Sequence, residues 1–215
     1  MGDKQKVKTR CVIIAGGDCN SSLLTKIGDS DYVIAADSGM YHCKAAGILP
    51  DLVVGDFDSF SGTLPNTEIV RLPTHKDDTD LLFAARCGVE RGFKSFAVFG
   101  GYGSRPDQNM AMMQTLVWLA KEIDGADISA VCNGFEVYAV RNGSRCFPRA
   151  LNRYISVFAV DGCAKGVDIT GAEYSLHDAV LTGDFPIGVS NEALNDTTVS
   201  VKNGTLLVMT VDKNI

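Results

Sequence analysis

The chain has 215 residues, 46% of them apolar and 21% charged, with 22 Gly and 6 Pro. That composition excludes disorder and collagen-like repeats, and it fits one large folded domain or a medium one with a smaller companion. Its 20 Lys and Arg against 26 Asp and Glu leave a formal charge of −6, which argues against a surface built to grip nucleic acid by counterion release.

From Cys11 onward short β-branched runs alternate with helical stretches. This is the pattern of βαβ units and a largely parallel sheet covered by helices on both faces. The runs fall at residues 11–15, 32–36, 52–54, 68–70, 95–99 and 128–132. Leu81, Leu82, Ala84, Ala85 and Val89 form a helical stripe, and Met113, Leu116, Val117 and Ala120 form another that begins near Pro106 and Asp107. Met110, Met112 and Met113 read as core packing.

After Asn133 the runs alternate in the manner of strands, at 137–140, 154–158, 199–201 and 206–211, with turn signals at Asn142-Gly143 and Asn203-Gly204. They predict a sandwich with two Asn-Gly hairpin turns and no amphipathic helix. The expected fold class is α/β: a Rossmann-like, mostly parallel sheet over residues 1–133, then a small all-β sandwich over 134–215.

The seven cysteines are an odd set without a C-x-x-C pair, which predicts reduced, mostly buried thiols. The first ten residues are basic, but the apolar run after them is too short for a signal-peptide core or a membrane span. A cytoplasmic protein that engages neither nucleic acid nor membrane is expected.

Charge is uneven along the chain. Between Asp29 and Asp80 ten acidic residues face three basic ones, and several of the carboxylates sit beside Gly at strand ends, where open α/β sheets build their sites. Four clusters carry the chemistry. In Ala36-Asp37-Ser38-Gly39 a strand runs into a Gly turn and a helix, which could hold phosphate on backbone N–H groups or place Asp37 at a metal; helix capping by Asp37 or Ser38 explains it equally well.

The second cluster is Pro50-Asp51-Leu52-Val53-Val54-Gly55-Asp56-Phe57-Asp58-Ser59. On an extended backbone Asp56 and Asp58 share a face while Phe57 anchors the segment. Two like charges about 4 Å apart repel by roughly 4 kcal/mol at an effective dielectric of 20. A hard divalent cation removes that cost, and Mg²⁺ with a nucleotide suits it; a solvated acidic turn is the plainer reading.

His75-Lys76-Asp77-Asp78-Thr79-Asp80 precedes the Leu81 helix. Its carboxylates could be ordinary partners of the helix dipole, but Lys76 suits a phosphate contact, with Asp80 a cation ligand or proton acceptor. Last comes Gly100-Gly101-Tyr102-Gly103-Ser104-Arg105-Pro106-Asp107-Gln108, where the glycines allow close approach of a ligand, Arg105 can grip phosphate and Asp107 can cap the helix or meet a cationic substrate.

In this order, and with Gly188-Val189-Ser190-Asn191-Glu192 in the β region, these segments resemble the thiamine pyrophosphokinase (thiamine diphosphokinase) family over nearly the whole chain. The resemblance implies an α/β nucleotide-binding domain followed by a thiamine-binding β-sandwich, in a homodimer with its active sites at the subunit interface. It also implies transfer of the diphosphate of ATP to the hydroxyethyl group of thiamine, with Mg²⁺, giving thiamine diphosphate and AMP. Carried over by position, Asp56, Asp58 and Asp80 would hold Mg²⁺. Asp37, Ser38, Gly39, Lys76, Thr79, Gly100, Gly101 and Arg105 would bind the nucleotide, and Asp80, Asp107, Ser190 and Asn191 would receive thiamine. Asp56, Asp58, Asp80, Arg105 and Asp107 form the implied catalytic set.

Two positions depart from the family pattern. Ser104 stands where Gly is common and Gln108 where His is common, which removes a titrating group. An aromatic residue that stacks on thiamine in some members has no counterpart near Val189. Diphosphate transfer to another alcohol, and a silent nucleotide- or thiamine-binding protein, are the competing readings.

Overall fold

The β-branched runs of the amino-terminal half form parallel strands, most of whose side chains are sealed from water. In the computed structural model, which describes residues 7–56, 65–73 and 78–214, these are β1 (Arg10–Ile14), β2 (Asp31–Ala36), β3 (Leu52–Gly55), β4 (Glu68–Arg71) and β5 (Ser95–Phe99). They lie in the order β5-β1-β2-β3-β4, every neighbouring pair parallel. Cys11 to Ile14, Leu52 to Val54 and Phe96 to Phe99 are at most 1% exposed, the burial that a parallel sheet imposes on its strands.

Helices α1 (Ser21–Leu24), α2 (Gly39–Ala46), α3 (Asp80–Glu90) and α4 (Pro106–Glu122) lie among them, and β6 (Asp127–Cys132) follows α4. Gly47 ends α2 in the left-handed conformation, the usual stop for a helix. Thr79 caps α3, its hydroxyl accepting from Leu82 N–H at 3.1 Å. The buried stripe of α3 is Leu81, Ala84, Ala85, Cys87 and Gly88. On α4 the buried side chains include Met112, Leu116, Leu119 and Ala120, whereas Met110 is 62% exposed and does not belong to the core.

By internal contacts the chain divides into a first unit, residues 1–115 with 130–133, and a second, residues 116–129 with 134–215. The second unit takes in the carboxyl-terminal part of α4, and from residue 134 on β7 (Phe135–Arg141), β8 (Ser144–Phe147), β9 (Arg153–Ala159), β10 (Cys163–Ala172), β11 (Leu176–Thr182), β12 (Asn191–Asn203) and β13 (Thr205–Asp212) follow one another with no helix between them among the described residues. β13 lies antiparallel between β7 and β9. β12 pairs antiparallel with β8 and β10, β10 with β11, and the first two residues of β12 reach β9. Val140, Ile155, Val157, Ala164, Val167, Val199, Leu206 and Val208 belong to one apolar core here.

Neither Asn-Gly turn closes a hairpin, which corrects the expectation. The turn at Asn142 leads from β7 to β8, but β8 pairs with β12; the turn at Asn203 leads from β12 to β13, which pairs with β7 and β9. The two turns bond to each other instead: Gly204 N–H donates to Asn142 Oδ1 at 3.0 Å, and Asn142 N–H to the Gly204 carbonyl at 3.3 Å. Their residues serve as corners between differently paired strands, a role that Asn-Gly chemistry also suits because Asn142 holds φ of +44°.

All seven cysteines are free; Cys11, Cys43, Cys87 and Cys132 are buried, and Cys146 and Cys163 are exposed. Burial pushes the Cys11 and Cys43 thiols up to about 12, so these two are packing groups, not nucleophiles. No described helix is long and apolar enough to cross a membrane. The chain is thus a mixed α/β protein with 13 strands among the described residues.

An ion pair locks the amino ends of β1 and β2. Arg10 donates from Nε and Nη2 to the two carboxylate oxygens of Asp31 at 2.8 and 2.7 Å, and Gly28 N–H adds a bond at 2.8 Å. Burial alone would raise the Asp31 pKa, but the bonds from Arg10 and Gly28 and the charges of Arg10 and Lys8 outweigh it and hold it below the usual value. A carboxyl depressed in the folded state contributes stability that is complete above its unfolded pKa, near 4, and is lost as pH falls through the folded value. Asp31→Asn is expected to cost about 1–3 kcal/mol at pH 7. In urea titrations the gap between variant and parent should close below pH 4, and a gap independent of pH would contradict this account.

Candidate active site

Three chain segments emerge together from the carboxyl ends of β1, β2 and β5. Since β2 lies on one side of β1 and β5 on the other, the strand order reverses here, which is where open α/β sheets leave a crevice for a ligand. Ala15 N–H donates to the Phe99 carbonyl, Gly17 N–H to the Gly100 carbonyl and Asp18 N–H to the Tyr102 carbonyl, at 2.8, 2.7 and 2.8 Å. The glycine-rich segment after β5 is therefore stitched to the segment after β1. Contact is close enough to exclude side chains: a Cβ on Gly100, whose φ is +62°, would lie 2.3 Å from the Ala15 carbonyl oxygen, and one on Gly39 would lie 1.9 Å from that of Ile14.

Asp37 stands at the end of β2 with φ of +46°, and its N–H donates to the Val54 carbonyl at 2.7 Å. Asp56 follows Gly55 at the end of β3. The carboxylates of Asp37 and Asp56 thus issue from adjacent strand ends, both half-buried. Ser38 precedes α2 without a side-chain capping bond, and Gly39 opens that helix. Asp58 and Lys76, with Phe57, Ser59, His75 and Asp77, lie outside the described residues.

At the start of α3 Thr79 spends its hydroxyl acceptor on Leu82 N–H, and Asp80 occupies the first turn. Asp78 pairs with Arg86 at 2.5 Å, an ordinary helix-surface contact. Pro106 begins α4, where its missing N–H costs nothing. Arg105 and Asp107 on either side of it form a two-point ion pair, Nε to Oδ1 at 3.2 Å and Nη2 to Oδ2 at 2.5 Å, with both side chains more than 60% exposed. The bond from Arg105 holds the Asp107 carboxyl below its usual range, and the same bond raises Arg105. Asp107 is a fixed negative charge at neutral pH and a poor proton acceptor.

Three residues that support this crevice escaped the sequence reading. Asn109 clamps Gly103 from both sides, its Oδ1 accepting from Gly103 N–H at 2.8 Å and its Nδ2 donating to the Gly103 carbonyl at 2.9 Å. His42 on α2 brings Nε2 within 2.7 Å of the Gly17 carbonyl, which makes Nε2 the protonated nitrogen, because a carbonyl only accepts. Gly17 itself follows a strand in the manner of Gly39 and Gly100, so the rule that exposed those glycines would have found it.

In the second unit Ser190 has φ of +59° and precedes β12. Asn191 is 6% exposed and uses its amide within the chain. Oδ1 accepts from the Tyr174 and Glu192 N–H groups at 3.0 Å each, and Nδ2 donates to the Tyr174 carbonyl at 2.7 Å. Asn191 therefore fastens the Tyr174 backbone to the start of β12, leaving the Tyr174 ring 67% exposed. Nothing local in the sequence marks Tyr174, since its partner lies 17 positions away.

Comparison with known proteins agrees with this layout. The family model "Thiamin pyrophosphokinase, catalytic domain" matches residues 24–125, and "Thiamin pyrophosphokinase, vitamin B1 binding domain" matches residues 146–207. The thiamine pyrophosphokinase of Bacillus subtilis is 25% identical over 209 residues, covering 92% of this chain and 96% of that one. Its crystal structure superposes with a TM-score of 0.85 at 24% identity over 95% of this chain and 99% of that one. The yeast thiamin pyrophosphokinase structure gives 0.73 at 12% identity, over 96% and 87% of the two chains. Together the two family models span well over half of the sequence, and the chain belongs to the thiamine pyrophosphokinase family.

Proposed function

We propose that this chain transfers the diphosphate of ATP to the hydroxyethyl group of thiamine, giving thiamine diphosphate and AMP, the reaction of its family. The observation that carries the reading is the glycine-lined junction of the segments after β1, β2 and β5, at the reversal of strand order where open α/β sheets bind ligands, with the Arg105–Asp107 pair following on the third segment. The opening of α2 at Gly39 and the exposed Arg105 guanidinium suit a triphosphate. We read residues 1–133 as a Rossmann-like catalytic domain that binds the nucleotide, and 134–215 as a small β-sandwich that binds thiamine.

Catalysis here is a matter of positioning and charge. Asp37, Ser38, Gly39, Lys76, Thr79, Gly100, Gly101 and Arg105 would orient the phosphates for in-line attack on the β-phosphorus, with AMP leaving. Arg105 can exchange its exposed carboxylate partner for phosphate, releasing Asp107 to face the cationic thiazolium. Once released, the Asp107 carboxylate is an exposed counter-charge for that cation. Ser190 would meet thiamine directly. Asn191 would act through Tyr174, whose exposed side chain we assign to stacking on thiamine.

No group of three or more His, Cys, Asp or Glu side chains forms a metal cage among the described residues. Asp56 at the end of β3 and Asp80 in the first turn of α3 are nonetheless the oxygen donors that suit Mg²⁺, an ion that binds carboxylates together with substrate phosphates. Asp56, Asp58 and Asp80 would hold it, and it would neutralise phosphate charge in the reaction. We further propose a cytoplasmic homodimer with active sites at the subunit interface.

Incubation with ATP, Mg²⁺ and thiamine should yield AMP and thiamine diphosphate in equal amounts. ADP would indicate an ordinary kinase, turnover only with other hydroxymethyl heterocycles a different alcohol substrate, and binding without product a silent receptor. Asp56→Asn should lower kcat by at least about 100-fold with an unchanged circular dichroism spectrum; near-parental turnover would remove Asp56 from the metal site. Tyr174→Ala should raise the KM for thiamine about five- to tenfold and leave that for ATP alone, and Tyr174→Phe should behave as the parent. Equal KM values for thiamine in Tyr174→Ala and the parent would dismiss the stacking role.

A further inference from the structure

The turn that presents Ser190 is held from the neighbouring strand. β12 pairs with β9 through Asn191 opposite Ile155 and Glu192 opposite Tyr154. One residue earlier, where a continuing strand would pair with Ser156, Ser190 adopts φ of +59° and leaves the ladder. Its N–H is bound by a side chain instead, donating to Ser156 Oγ at 3.0 Å. Ser156 is 5% exposed, so its hydroxyl is a fixed acceptor on a buried strand.

The other side of the turn is fastened by the next residue of β9. Val157 N–H donates to the Gly188 carbonyl at 2.7 Å, and a Cβ on Gly188 would lie 2.2 Å from the Val157 carbonyl oxygen. The backbone of Gly188 is therefore pressed against β9 with no room for a side chain, and Ser156 catches the chain two residues later. Serine is strained in the left-handed region because its Cβ crowds the following carbonyl oxygen. The bond from Ser190 N–H to Ser156 is what offsets that cost at this position.

We propose that Ser156 is a positioning residue for thiamine: its hydroxyl holds the left-handed Ser190 turn in the shape that receives the substrate. This rests on the assignment of Ser190 to thiamine made above. Ser156 touches no substrate itself, and its removal acts on one substrate only.

The test combines kinetics with amide exchange. Ser156→Ala should raise the KM for thiamine about tenfold while the KM for ATP stays within about twofold, and Ser156→Thr, which keeps a hydroxyl on a β-branched residue suited to a strand, should restore most of the loss. Hydrogen exchange of the Ser190 amide in the substrate-free protein should speed up about tenfold in Ser156→Ala, with core amides of β9 and β13 unchanged. Parallel rises in both KM values, or a thiamine KM that does not move, would overturn the proposal, as would unaltered exchange at Ser190. The exchange measurement needs no thiamine, so a parent enzyme that fails to use thiamine would refute the proposed function while the exchange result still decides whether Ser156 holds the turn.

Discussion

Everything in the first unit depends on how closely three backbone segments approach one another at the carboxyl ends of β1, β2 and β5. The carbonyl oxygens of Ile14 and Ala15 occupy the space where side chains of residues 39 and 100 would otherwise stand. This closeness converts loops, ordinarily the most variable part of a fold, into extensions of a buried sheet. Positional precision at the crevice is then inherited from strands with almost no exposed surface. Glycine here is a requirement of distance, and its entropic cost of about 0.5–1 kcal/mol per residue relative to alanine is set against carbonyl contacts that no other residue permits.

The charges placed on this rigid frame differ in how firmly they are held. Asp31 is locked by three hydrogen bonds at the amino end of the sheet, a structural pair that stays with its partner. Arg105 and Asp107, by contrast, pair on the surface just before and just inside the first turn of α4. Exposed pairs of this kind gain little over hydration, so either member can exchange its partner for a ligand at small cost. A pair of opposite charges that is easily parted suits a site that must receive an anion and a cation together.

Much of the fold was legible because burial and chain period agree. The runs at 11–15, 32–36, 52–54 and 95–99 are short and almost wholly apolar, and they became parallel strands within a residue or two of their expected ends. The stripe of α3 was equally clear, as Leu81, Ala84 and Ala85 are buried. β10 and β11 were not foreseen. Their pairing shifts register between Lys165 and Val167 and again between Val167 and Ile169, so the period of two that marks a strand is broken repeatedly. The Asn-Gly turns misled for a different reason: turn chemistry reports that the chain reverses, not which strands then pair. At the candidate site, motifs with glycine and carboxylate beside a strand were visible, while Asn109 and His42 were not, since each acts on a backbone group that no sequence pattern displays.

Backbone strain links the two units in kind. Asp37, Asn142, Asp178 and Ser190 are the non-glycine residues with positive φ among those described. Asn142 is accounted for by a corner between strands, and Asp178 by its N–H bond to Asp168 Oδ1 and its ion pair with Lys202. Asp37 and Ser190 belong to the segments to which the nucleotide and thiamine are assigned. A non-glycine residue in this region costs on the order of 1–2 kcal/mol and persists only where its surroundings over-determine it. For Asp37 that determination is a bond to the Val54 carbonyl at the end of β3, and for Ser190 a bond to a serine on β9. In both cases a residue next to a strand end is held in an unusual conformation by a bond from its own N–H to the neighbouring strand, and that bond fixes the direction in which its side chain leaves the backbone.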